Sequence, residues 1–117
     1  MFTFGDRLLR PDEAIPWVPR ANIYRTGRGW LIKMDLAGVQ PSEVVIRPHG
    51  TQLIVSGSRR DQIIREGWQL YEMEISYSGF ERVFQLPQSL EGATLRSDYR
   101  EGMLLIEVIR EGADEEA

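Results

Sequence analysis

Residues able to carry covalent or acid–base chemistry are sparse in this chain. It holds one histidine, His49, and no cysteine. A Ser-His-Asp or Cys-His site needs its nucleophile within reach of a base, so any such site has to be built around His49. His49 stands between Pro48 and Gly50, a turn sequence in which an imidazole is solvated. Glu72 and Glu74 have the two-residue spacing that puts carboxylates on one strand face. Such a pair serves acid–base work or a hard metal only when other groups converge on it, and none does here. No glycine-rich loop opens a helix to cradle a phosphate. The reading is a non-enzyme with no catalytic residues, no metal ligands and no cofactor. Arg82 is the charged residue whose spacing needs explaining. It shares a strand face with Phe80 and Phe84, where a guanidinium requires a partner. Glu72 and Glu74 lie just upstream and can supply one across strands or across a dimer, which makes the group structural.

The composition narrows the classes further. The chain has 117 residues, 42% hydrophobic and 27% charged, which suits one ordinary globular domain. Its net charge is −4 and its basic residues are scattered, whereas phosphate backbones demand a concentrated positive surface. No nucleic-acid partner is expected. Without cysteine there is no disulfide framework, and a reducing compartment is the natural expectation. The start, Met1 to Arg7, lacks the basic and apolar runs of a signal peptide, and no stretch is long enough to span a membrane. A cytoplasmic protein without a membrane partner is expected. Asp114, Glu115 and Glu116 make the end a solvated acidic tail.

The elements that position these residues read as short strands. Over residues 1 to about 20, Phe2, Phe4, Leu8 and Leu9 form a small apolar cluster. Pro11, Pro16 and Pro19 then break regular structure. This is an arm outside the sheets, with a helical turn around Leu8. From Asn22 onward strand follows strand. Asn22 to Thr26 leads through a glycine turn to Trp30, Ile32 and Met34, which alternate with Leu31, Lys33 and Asp35. Val44 to Arg47 ends at Pro48 and forms a hairpin with Gln52 to Gly57. A longer charged segment carries Ile63, Ile64 and Trp68. Gly79 to Leu86 is a strand closed by Pro87. Thr94 to Tyr99 and Met103 to Ile109 form a last hairpin around Glu101 and Gly102. Six or more short strands without a long amphipathic helix predict an all-β antiparallel sandwich or barrel. Trp30, Ile32, Met34, Leu53, Val55, Phe80, Phe84, Leu104 and Ile106 are the expected core. Gly38, Gly57, Gly79 and Gly102 are expected where the backbone turns tightly or takes positive φ. The expected division is an arm over 1–20, a folded domain over 21–109 and a short tail over 110–117.

Several of these segments also resemble one family. Asn22-Ile23-Tyr24 after Trp17-Val18-Pro19 resembles the opening of an α-crystallin domain. Asp35-Leu36-Ala37-Gly38-Val39 is similar to its D-L-P/A-G-V turn. Leu53-Ile54-Val55-Ser56-Gly57-Ser58-Arg59 is similar to its L-x-I-x-G-x-R strand. Phe80 to Pro87 matches F-x-R-x-F-x-L-P, and Tyr99 to Leu104 resembles Y-x-N-G-V-L. These run in family order from Trp17 to Val108, and the order resembles bacterial and plant members of the small heat-shock proteins.

The resemblance implies an immunoglobulin-like antiparallel β-sandwich with a strand-exchange loop, in a dimer-forming, ATP-independent chaperone. The segment Ser58 to Tyr71 would carry a strand near Trp68 to Leu70 that adds to a partner's sheet. Trp68, Leu70, Glu72, Glu74 and Arg82 are then the expected dimer interface. An apolar groove is expected between the strand Val44 to Arg47 and the strand Thr94 to Tyr99, lined by Val44, Ile46, Leu95 and Ser97. In relatives an Ile-x-Ile motif of the C-terminal extension fills it. The tail here carries no such motif, so a dimer or small assembly with an open groove is expected. Phe2, Phe4, Leu8, Leu9, Ile15 and Trp17 either bind clients as an adaptable apolar arm or pack on the domain itself. The function implied is a holdase that covers exposed apolar surface of unfolding proteins. The alternative is a co-chaperone-like sandwich docking one specific partner. Such modules lack the exchanged strand and the G-x-L ending, so Gly102-Met103-Leu104 favours the holdase.

Overall fold

The computed structural model describes Phe2–Phe4, Arg7–Leu9 and residues 17–110. Its strands are β1 (Phe2–Phe4), β2 (Arg7–Leu9), β3 (Ala21–Thr26), β4 (Gly29–Asp35), β5 (Val45–His49), β6 (Gln52–Ser58), β7 (Gly79–Gln85), β8 (Thr94–Arg100) and β9 (Met103–Ile109). All pairings between them are antiparallel. Strands β1 and β2 form a ribbon of their own, and the rest form two sheets ordered β3-β4-β9-β8 and β5-β6-β7. The helical turn expected around Leu8 is therefore a strand instead, with Leu8 opposite Thr3.

Period-two alternation decides what is inside. In register, Ile32 faces Ile106 and Met34 faces Leu104, so β4 and β9 present one continuous apolar face. Across the sandwich, β6 and β7 oppose it with Leu53 paired to Phe84 and Val55 paired to Arg82. Ile32, Met34, Leu53, Val55 and Ile106 are fully buried. Each such side chain contributes roughly 1.5–3 kcal/mol on leaving water. Trp30 is only half-buried and packs against the edge of this core. Leu36, Val39, Leu86 and Leu90 close the ends of the sandwich from connecting segments, where period-two reading does not reach.

Two features place the connections. Glu101 and Gly102 take φ 51° and 81° between Arg100 and Met103, the paired positive φ of a hairpin turn matched to the strand twist. A Cβ on Gly102 would lie 3.2 Å from Ala37, and its carbonyl accepts the Leu36 N–H at 2.8 Å. Gly38 also takes positive φ, at 82°, whereas Gly57 and Gly79 do not. Gly57 is needed for a different reason: a Cβ there would meet the Phe80 ring at 3.0 Å. Pro48 lies inside β5 rather than ending it. The strand is a sheet edge, and a residue without an N–H is tolerated there.

Candidate functional site

The sandwich has two long sides, each made of two free strand edges. On one side, the half-buried Arg82 of β7 donates from Nη1 to the Pro19 carbonyl at 2.6 Å. That contact brings the β7 edge beside the chain entering β3. Sheets packed face to face keep their strands roughly aligned, so the edges of β5 and β8 lie together on the other side.

The loop between β6 and β7 belongs to the first side. From Arg60 to Ser78 it carries neither strand nor helix, so the strand expected near Trp68 to Leu70 is not formed within the single chain. Ladder bonds require a neighbouring edge, and among the described residues nothing pairs with those positions. The loop is unusually apolar for an exposed segment. Ile63, Ile64, Trp68, Leu70, Tyr71 and Ile75 are all exposed, and the loop curves round an open hollow lined by Ile64, Trp68, Leu70 and Tyr77. Edge strand β3 exposes Ile23 and Tyr24.

Arg82 has a different partner from the one its spacing suggested. Besides Pro19, its guanidinium lies 4.9 Å from the centre of the Phe84 ring. Glu72 and Glu74 are exposed on the loop and neither bonds to it. The ion pairs among the described residues are Arg60–Glu43 and Arg100–Asp98. A main-chain carbonyl is enough because the group is only half-buried. It satisfies a donor without fixing a second charge in the sandwich.

On the second side the four groove residues behave in two ways. Val44, Ile46 and Leu95 are half-buried and pack against the core. Ser97 is exposed on the inner face of β8, two residues from Leu95 and opposite Ile106. Tyr99 closes one end of that face, its hydroxyl donating to the Leu36 carbonyl at 2.9 Å. No ladder joins β5 to β8.

Of the proposed arm residues, Phe2, Phe4, Leu8 and Leu9 have side chains outside the described residues, as does Ile15. Trp17 is held by the domain. Its ring meets Phe80 edge-on, with centroids 5.3 Å apart, and lies under the Arg59 guanidinium at 3.8 Å. Of the two expectations for the arm, these contacts match packing on the domain: an aromatic ring with an apolar edge partner and a cation on its face is held in place by both. Arg59 is the residue that sequence reading passed over. It was visible only as the last letter of a strand motif, directly before the loop.

Among the described residues, no three His, Asp or Glu side chains are placed to share a metal ion. No helix among them is long and apolar enough to cross a membrane. The fold is a two-sheet antiparallel β-sandwich that exposes apolar side chains on β3 and on the loop after β6.

The comparisons name the kind. The family model for the Hsp20/alpha crystallin family matches residues 22–117, and the chain belongs to that family of non-enzymatic chaperones, the small heat-shock proteins. It is 30% identical over 90 residues to spore protein SP21 of Stigmatella aurantiaca, covering 77% of this chain and 53% of that protein. It is 28% identical over 104 residues to the 22.0 kDa heat shock protein of Arabidopsis thaliana, covering 87% of this chain and 53% of that one. The chain thus spans about half the length of the curated relatives it matches. In structure it is similar to hspA from Xanthomonas axonopodis, with TM-score 0.70, 26% identity, and coverage of 86% of this chain and 100% of that one.

Proposed function

We propose that this protein is an ATP-independent holdase that covers exposed apolar surface of unfolding proteins before they aggregate. The observation that carries the reading is the exposed apolar run Ile63, Ile64, Trp68, Leu70, Tyr71 and Ile75 on a loop without regular structure. A monomeric soluble domain rarely leaves such residues together in water unless they meet a partner. Apolar contact demands little geometry, so a surface of this kind accepts many sequences.

The same residues serve assembly. In this reading Trp68 to Leu70 becomes a strand on the free edge β3 of a second copy, because edge addition satisfies main-chain groups that a lone chain leaves to water. Arg82 lies beside that edge, within the domain that Glu72 and Glu74 of a second copy would approach. The groove between β5 and β8 is the second docking surface, suited to an aliphatic side chain inserted above Ser97. The domain division into an arm, a sandwich and an acidic tail belongs to this reading, as do the cytoplasm as its place of work and a partner list without nucleic acid.

The test is light scattering of a heat-denaturing client without nucleotide. Suppressed scattering at equimolar ratio supports the holdase. Unchanged scattering, with the protein still folded at that temperature, overturns it and points to a module that docks one partner.

A further inference from the structure

Arg59 is bound to three separate parts of the chain. Its N–H donates to the Ser78 carbonyl at 3.0 Å, which closes the two ends of the 60–78 loop on each other. Its backbone also bridges to Val39. In the side chain, Nε donates to the Ser76 carbonyl at 2.9 Å and Nη1 to the Ala37 carbonyl at 3.1 Å. The guanidinium also lies over two aromatic rings, with its central carbon 3.8 Å from the centre of Trp17 and 5.6 Å from that of Tyr77. A guanidinium donates in its plane and stacks through its faces, so both sets of contacts are made at once. The aliphatic stem lies close to the Gly38 backbone: a Cβ on Gly38 would come within 3.2 Å of Arg59 Cδ.

We propose that Arg59 is a positioning residue that couples the seating of Trp17 to the closure of the 60–78 loop. With the indole in place, the guanidinium is held flat and its in-plane donors point at Ala37 and Ser76. When the indole leaves, the stacking face opens to water and the guanidinium loses the contact that orients it. The bonds at the loop base then weaken together. A partner that draws Trp17 away from Phe80 therefore loosens a loop on the other side of the guanidinium without touching it. The apolar partner able to do so is an exposed segment of an unfolding protein. That last step rests on the proposed function, while the coupling is a property of one chain.

Residue-resolved amide exchange on the full chain tests it. In Trp17→Leu, protection of the Arg59 amide and of the Ser58–Gly79 end of the ladder falls about fivefold, as expected for loss of a partly buried cation–π contact. The amides of Ile32 and Ile106 keep their protection. Arg59→Lys gives a loss of similar size, and the double variant is no worse than either single one. Trp17→Phe, which restores a ring without the indole, recovers part of the protection. Unchanged loop protection in Trp17→Leu with β4 and β9 intact overturns the coupling, as do additive losses in the double variant. If Trp17→Leu fails to fold, Trp17→Phe decides alone, a smaller loss at the loop base supporting the coupling and none refuting it. Failure of the scattering test leaves these outcomes unaltered, so the two readings fail separately.

Discussion

Arg82 shows how far a single residue can be read from spacing. Alternation put it on the inner face between Phe80 and Phe84, and the structure agrees. What spacing could not supply is its partner, because Pro19 lies sixty-three positions away in sequence and offers a main-chain oxygen that no side-chain pattern announces. The charge-assisted bond to Pro19 and the stacking on Phe84 make Arg82→Ala costly. Stability falls by about 2 kcal/mol, the usual size of a hydrogen bond to a charged group, measured by urea denaturation of the single domain. Arg82→Lys recovers only part, because an ammonium keeps the charge and loses the planar face. An unchanged midpoint in Arg82→Ala would refute the role. Arg59 is the opposite case. Its position after a strand carries no periodic signal, and its contacts converge from residues 17, 37, 76 and 77.

Elements were legible wherever alternation was strict. Strand β9 falls at Met103–Ile109 as its sequence pattern indicates. Strand β5 was misjudged at one end, since Pro48 stops a strand only where its N–H is needed, and an edge does not need it. Which edges face one another depends on sheet order, and that decides where the proposed groove lies. A peptide carrying an Ile-x-Ile segment, added in solution, is expected to shift the amide resonances of Ile46 and Leu95 and leave those of the loop unmoved. Ser97→Trp fills the same strip and abolishes the shifts, because a large side chain occupies the space a small hydroxyl leaves open. Binding that survives Ser97→Trp would place the peptide elsewhere.

At the scale of the whole molecule, the unusual feature is a loop that exposes its apolar residues while the sandwich beside it is well filled. Burying that apolar surface against a second copy would stabilise an assembly by roughly 25 cal/mol per Å² before the cost of association. If the proposed strand exchange forms the dimer, replacing Trp68 and Leu70 together by Ser is expected to shift the solution mass to that of a single chain, read by sedimentation. The sandwich should keep its own melting transition, since neither residue contributes to the core. An unaltered mass would remove the loop from the interface.

Local chemistry by itself determined most strands of the two sandwich sheets, the inner face of most of them and the family to which the chain belongs. These depend on alternation, turn residues and short motifs, all of which act over a few positions. The tertiary structure decided which carbonyl meets Arg82, that Trp17 is clasped between Phe80 and Arg59, and which edges stay open. These depend on distances between residues far apart in the chain, set by how two twisted sheets stack. The scarcity of catalytic groups, with one histidine and no cysteine, is a matter of composition. How one arginine joins the entering chain to the loop was a matter of packing, and only the assembled sandwich brings its partners within reach.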